Sequence, residues 1–396
     1  MTMSSTGDRS NNADSNPSTD ALSPVDADLY PTDADVYPVD AIVSPINAPD
    51  ESIGAKIDWA FAASVGKRLT RPGPNTTEYT LNQARAELAD AATRAEGPVR
   101  EVTRLADGLP IPTTRVLDRK EWIDAASLSM RSMLGGVGDE PDTSGLKAIP
   151  AKMGGLQAGG LLAFLSGAIL GQYDPFTPDP QTGDPGVLMV VTPNIIAVER
   201  NLRVVPSDFR LWVCLHEVTH RVQFSANPWL RQYMSDNVEM LTTDTGESAT
   251  ELVTRISGAL RSDKPREKGV IGAMQLLQTP EQYDAFSRMM MLGTLLEGHA
   301  DHVMDAVGPA YVPTVSSIRA AFDRRRQSPR NPVQRIIRAL IGMDAKLAQY
   351  VRGKAFVDDV VGRVGMDAFN TIWTSPETMP LPAEIDEPAK WIARVL

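Results

Sequence analysis

Leu211-Trp212-Val213-Cys214-Leu215-His216-Glu217-Val218-Thr219-His220-Arg221-Val222-Gln223-Phe224 is the stretch from which the rest of the chain can be read. It predicts a helix carrying His-Glu-x-x-His. On a helix His216 and His220 stand one turn apart on one face, so both imidazoles can reach a single metal ion, with Glu217 at its flank. Two imidazoles leave room around zinc for a third protein ligand and a water, and Glu217 is placed to take that water's proton as a general base. Phe209, Trp212, Val213 and Phe224 flank the histidine face, and Leu211, Leu215, Val218 and Val222 form a second apolar stripe. The helix is apolar nearly all round and should be buried, where two imidazoles without a partner would be costly.

The chain has four histidines, and the other two fall together in Leu295-Leu296-Glu297-Gly298-His299-Ala300-Asp301-His302-Val303-Met304-Asp305. At 100° per residue, Glu297, Ala300, Asp301 and Met304 share a face with Tyr283, Phe286, Met290 and Gly293 upstream. We assign Glu297 as the third metal ligand and Asp301, four residues on, as the carboxylate that accepts the free N–H of a ligand histidine and fixes its tautomer. His302 and His299 lie on other faces. We assign His302 to donate to the developing oxyanion and His299 to the outer sphere of the site. A competing assignment makes His299 the third ligand and leaves Glu297 structural.

The composition of the 396 residues, 42% hydrophobic and 22% charged, describes a globular protein of one large or two ordinary domains. A net charge of -11 argues against nucleic acid or an anionic membrane as the main partner, although much of the acidity sits in the first fifty residues. The single cysteine, Cys214, rules out an internal disulfide and fits a reducing cytoplasm. Two residues before His216 it faces away from the metal, so a buried apolar thiol is expected. The N-terminus lacks a basic start followed by an apolar run, hence no signal peptide is expected. The most apolar window, residues 154–170, is rich in glycine and short for a bilayer span; it reads as a core helix.

Residues 1–50, rich in Asp, Ser, Pro and Thr, read as a disordered acidic tail, and residues 51–396 as one domain with a helical N-terminal part (51–150), a zinc-site core (151–310) and a helical C-terminal part (311–396). Helices are expected near residues 58–66, 80–94, 99–105, 118–133 and 153–171. Gly186 to Val191 is the best strand, with Asn194-Ile195-Ile196 continuing it beyond Pro193; its edge could hold an extended peptide, or it could pair internally. Ser207 suits the N-cap of the zinc helix and Asp208 the positive end of its dipole, while Asn227-Pro228 ends it. Further helices are expected at 229–241, 247–260, 281–307, 332–341, 344–362 and 366–374, giving a mainly α protein with a minor β element. The glycines near Gly154 lack the Gly-Lys-Ser/Thr ending of a phosphate loop.

With those segments in place, the chain resembles the actinobacterial zincin-like metallopeptidases associated with biosynthesis of the deazaflavin coenzyme. The resemblance rests on Asp58-Trp59, Pro98-Val99-Arg100-Glu101-Val102-Thr103, Leu170-Gly171-Gln172-Tyr173-Asp174, the stretch from Phe209 to Phe224 and the stretch from Glu297 to Asp305, and it extends over about residues 55 to 396. It implies a zincin-type fold, zinc at His216 and His220, and Glu217 as the base. Arg221 departs from the broader zinc-peptidase pattern, in which an uncharged residue follows the second histidine. The expectation is a cytoplasmic zinc hydrolase acting on a peptide or protein. The alternative is a zinc-binding scaffold or regulatory protein that holds a partner in the same cleft without cleaving it.

Overall fold

The computed structural model describes residues 54–135, 148–179, 183, 185–242, 278–327 and 343–396, which belong to one compact unit, Ile46–Leu396. The expected acidic tail and the helices at 247–260 and 332–341 lie outside the described residues. Among those described, the protein is mostly helical with one small sheet. In order come α1 (Trp59–Leu69), α2 (Glu78–Thr103), β1 (Thr114–Leu117), α3 (Arg119–Met133), α4 (Ala148–Ser166), β2 (Gly171–Asp174), β3 (Val187–Val191), α5 (Thr192–Leu202), α6 (Pro206–Ala226), α7 (Trp229–Thr242), α8 (Pro280–Val307), α9 (Val315–Gln327) and α10 (Met343–Phe369), followed by short helical turns that end with Pro388–Val395.

The sheet has the order β1-β3-β2. β1 runs parallel to β3, with Thr114 opposite Leu188 and Leu117 opposite Val191; β2 runs antiparallel, with Gly171 opposite Val190 and Asp174 opposite Val187. β3 is therefore paired on both sides and has no edge to offer a peptide; the outer edge nearest the zinc helix belongs to β2. All five β3 residues are buried, as a strand covered on both faces requires. Side chains alternate across a strand, and here the alternation separates two cores. Leu188 and Val190 enter the cluster around α2 and α6, while Val187, Met189 and Val191 enter the cluster of α1, α3 and α4.

α6 carries the His-Glu-x-x-His stretch and is buried along fourteen of its residues. Its start differs from the expected Ser207 cap: Val205 is the N-cap, with Pro206 at the first helical position, where its missing N–H costs nothing. Asp208 does lie in the first turn and accepts hydrogen bonds from the backbone N and Oγ1 of Thr314, both under 3 Å. Arg221 is 1% exposed. It pairs with buried Glu96 of α2 and donates to the carbonyl of Pro112 at 3.0 Å, so the residue that departs from the peptidase pattern ties the zinc helix to α2 and to the chain entering β1. Being one residue on from His220, it is turned off the metal face.

Three other expectations change. The two helices expected at 80–94 and 99–105 are one helix, α2, which runs through Pro98; burial of Ala91, Ala95, Val99 and Thr103 holds it together across the lost backbone bond. The chain after Pro193 forms α5 rather than more strand. The expected core helix α4 is half at the surface: Ala151, Gly155, Gly159, Leu162 and Ser166 pack inward, while Ile149, Met153, Leu156, Leu161 and Phe164 are exposed.

α8 passes beside α6 and crosses α10 at Gly298 and Gly353. A Cβ on Gly298 would lie 2.3 Å from the carbonyl carbon of Gly353, and one on Gly353 would lie 2.2 Å from the carbonyl oxygen of Thr294. Only glycine allows this backbone approach. It sets the rotation of α8, and with it the direction of Glu297 and His299 on either side of Gly298.

Candidate metal centre

His216 and His220 project from adjacent turns of α6, and Glu297 faces them from α8. The two Nε2 atoms are 3.2 Å apart; Glu297 places Oε2 3.4 Å from His216 Nε2 and Oε1 3.8 Å from His220 Nε2. At zinc–ligand bonds of about 2.0–2.1 Å in tetrahedral array, donor atoms stand roughly 3.3 Å apart. The two nitrogens stand at that spacing and the Glu297 oxygens, one towards each ring, stand near it; among the described residues these are the one group of three or more His, Cys, Asp or Glu whose ligand atoms lie within 4.8 Å of one another. The far nitrogens of both rings are engaged, His216 Nδ1 against Met304 Sδ at 3.3 Å and His220 Nδ1 with Gln223 Oε1 at 2.9 Å.

Glu217 is buried beside this cluster. A Cβ on Gly171, the first residue of β2, would lie 2.6 Å from Glu217 Cγ, so the glycine is what admits the carboxylate. Burial raises the Glu217 carboxyl to about 7; the His216 charge opposes this and the Glu297 charge adds to it. At His216 burial pulls the imidazole down, but the bond and charge of Glu297, with Glu217 and Asp301, outweigh it and lift the ring to about 9. An environment that holds a proton on His216 so firmly also favours a divalent cation in its place. Cys214 is buried, as expected, and desolvation pushes its thiol up to about 12.

A cavity of about 250 Å³ opens on this group, lined by Leu170, Trp212, Val213, Met304 and Phe322 on the apolar side and by His216, Glu217, Glu297 and Asp301 on the other. Asp301, one turn of α8 after Glu297, shares its face and borders the cavity, but neither Nδ1 of the ligand histidines turns to it as expected. Arg319 of α9 holds it, Nη1 2.9 Å from Asp301 Oδ1 and Nη2 2.8 Å from Asp305 Oδ1, while the guanidinium lies 5.4 Å from the centre of the Trp212 ring.

The two remaining histidines are not at the cavity. His302, five residues after Glu297 and so on another face of the helix, turns to α10 and sets Nδ1 2.7 Å from Asp358 Oδ1; the structure does not bring the expected oxyanion donor to the metal ligands. His299, two residues after Glu297 and on the opposite side of α8, is fully buried and packs its ring against Phe369 and Trp373 with centroids 5.5 and 5.3 Å away. Facing away from the cluster, it cannot serve as the third ligand of the competing assignment. It approaches the site only through Gln223, whose Nε2 is 3.0 Å from His299 Nδ1. Met304 was placed on the Glu297 face without a role, and Gln223 and Arg319 are residues that reading the sequence missed. Gln223 was within reach of it, being three residues after His220 and seven after His216, on the same helical face.

The profile of the zincin-like metallopeptidase family matches residues 57–392. The chain belongs to that family. Among solved structures, it is similar to one described as "a putative hydrolase with a novel fold" from Chloroflexus aurantiacus, with 30% sequence identity, a TM-score of 0.59, and coverage of 85% of this chain and 98% of that one. No curated protein matches the chain. No helix among the described residues is long and apolar enough to cross a membrane.

Proposed function

We propose that the protein is a zinc-dependent peptidase that hydrolyses a peptide or protein substrate, with a cytoplasmic setting inferred from its lone buried thiol. One observation carries the reading: His216, His220 and Glu297 converge at zinc spacing with the buried carboxylate of Glu217 lining the same cavity. His216, His220 and Glu297 hold the metal. When bound, zinc supplies a Lewis acid that polarises a carbonyl and acidifies water. Glu217 takes the proton from the attacking water and returns it to the leaving amine; a carboxyl held near 7 is suited to both transfers at neutral pH. β2 supplies the track for the substrate. Among the described residues no strand pairs with its outer side, and an extended peptide laid there would pass Gly171 and so reach Glu217, with the apolar cavity wall of Trp212, Met304 and Phe322 beside it.

The test is digestion of a broad peptide library, read by mass spectrometry, with zinc content measured in parallel. Wild type should carry about one zinc per chain and cleave a subset of peptides, and a chelator should abolish cleavage. Glu217→Gln should keep the metal and lose roughly 10²–10⁴ in rate. Cleavage that survives both the chelator and Glu217→Gln would remove the proposal, and a zinc-loaded wild type that binds peptides without cutting them would favour the scaffold.

A further inference from the structure

We infer that Gln223 is the positioning residue of the metal site, an amide clamped by the carbonyl of Leu296 and by His299 so that it holds His220 in the tautomer that presents Nε2 to the metal. The inference rests on the proposed metal site. It starts from an atom with a single role: a backbone carbonyl oxygen only accepts. Leu296 O lies 3.0 Å from one terminal atom of the Gln223 side chain, so that atom is the amide nitrogen and the other is the oxygen. The oxygen faces His220 Nδ1 at 2.9 Å and can only accept, so Nδ1 carries the hydrogen and donates. The neutral ring then has its lone pair on Nε2, the atom that faces His216 and Glu297.

The second amide hydrogen completes the clamp. It points to His299 Nδ1, 3.0 Å away, and with one hydrogen already given to Leu296 the amide uses both donors and its acceptor. His299 must accept at Nδ1 and is therefore neutral, with its hydrogen on Nε2. Its surroundings agree with a neutral ring: it is completely buried against Phe369 and Trp373, and among the described residues Nε2 has no hydrogen-bond partner. Gln223 itself is inaccessible, so no solvent competes for the amide. Each link has one allowed direction, and the direction runs from the Leu296 carbonyl and His299 to the metal face of His220. The clamp also explains why α8, which provides Glu297, provides Leu296 and His299 as well: one helix supplies a ligand and orients another through Gln223.

The experiment uses the full chain, freed of metal by a chelator. Zinc affinity is measured by competition with a chromogenic chelator, and the His220 tautomer by ¹⁵N chemical shifts of the imidazole. Wild type should show His220 protonated at Nδ1. Gln223→Met, which keeps the length and loses donors and acceptor, should lower zinc affinity roughly 10–100-fold and release the tautomer. Gln223→Glu keeps an acceptor toward His220 but, unless protonated, has no hydrogen to give Leu296, so it should recover part of that loss, whereas a purely packing role would favour methionine over a buried carboxylate. His299→Phe removes one of the two acceptors of the amide and should lower affinity by less than Gln223→Met does. Unchanged affinity in a folded Gln223→Met, or an Nε2-protonated His220 in metal-free wild type, would overturn the inference. The wild-type tautomer decides it even if the variants fail to fold, or if wild type takes up no zinc and the metal reading itself falls.

Discussion

Alanine in place of Gly298 and alanine in place of Gly293 are the same change on the same helix, yet the structure gives them opposite signs. Gly298 lies where α8 crosses α10. The new Cβ would sit 2.3 Å from the carbonyl carbon of Gly353, 2.6 Å from its oxygen and 2.7 Å from the nitrogen of Lys354. All three are backbone atoms, so no rotamer relieves the clash; since carbon contacts become comfortable at roughly 3.5–4.0 Å, α8 has to retreat by about 1 Å. Overpacking costs roughly 1–3 kcal/mol and sometimes more, against a gain of about 1 kcal/mol from replacing glycine in a helix. With backbone atoms on all sides the cost belongs at the upper end of that range, and the net expectation is a loss of about 2 kcal/mol. Among the described residues a Cβ on Gly293 would meet nothing within 4 Å, so only the propensity gain remains, up to about 1 kcal/mol of stabilisation. Thermal unfolding of the two variants reads the sign directly. Zinc affinity reads the consequence for the site, because the retreat at Gly298 carries Glu297 away from the histidines while Gly293→Ala leaves it in place. Two melting temperatures shifted in the same direction, or a Gly298→Ala that binds zinc as wild type does, would refute the view that this crossing sets the third ligand.

Gly171→Ala should retain zinc and depress cleavage, because its Cβ would displace the Glu217 side chain at 2.6 Å; zinc content measured beside peptidase rate separates this from a ligand defect. His299 gives a pH dependence of stability. Burial, with the charges of His302 and His220, lowers its ring to about 3, whereas the unfolded chain titrates near 6.5. Between these values the unfolded state binds the extra proton, so stability is full above about 6.5 and falls with pH by about 1.4 kcal/mol per unit towards 3. Urea unfolding at pH 8 and pH 5 should differ by about 2 kcal/mol more in wild type than in His299→Phe; equal differences would show that the ring is not held neutral.

Helical periodicity made much of the site legible. It put His216, Glu217 and His220 on α6, and Glu297 and Asp301 on one face of α8, because those relations are local and repeat every turn. The same arithmetic turns His302 and His299, five and two residues after Glu297, onto other faces, and following it through withholds the oxyanion from His302. What periodicity cannot supply is the partner from another element: Arg319 on α9 takes Asp301, and no spacing within α8 announces that. In the fold, the unbroken apolar run of β3 declared a strand but not what pairs with its edges, and β1 and β2 have four residues each, too short for any pattern. α4 misled because a helix apolar all round does not show which face is covered. Only the close approach of Gly155 and Gly159 to α1, where a Cβ would lie 2.7 Å from Asp58 O and 2.6 Å from Ala62 O, reveals the inward side.

The distribution of charge around the metal ligands bears on what the cavity will accept. On the side away from the metal, one ligand imidazole meets a thioether and the other an amide. The carboxylates all lie on the cavity side. Asp301 is neutralised there by Arg319, which leaves Glu217 and Glu297 to face the divalent cation proposed for the site. Two negative charges against two positive ones give a loaded site of no net charge, with walls of Leu170, Trp212, Val213, Met304 and Phe322 and no lysine or arginine among its lining residues. Among the described residues such a site has no group to neutralise a C-terminal carboxylate, and Asp301 is already engaged by Arg319 rather than open to an N-terminal amine. A buried unpaired charge is costly, so an internal peptide bond should be preferred over a bond next to either terminus. Once a cleaved sequence is found, the same peptide acetylated and amidated at its ends should be cut at least as fast as the free form. A rate that drops tenfold or more on capping either end, a difference of about 1.4 kcal/mol, would mean that a terminal charge is recognised, and would place an uncounted charged group at the cavity.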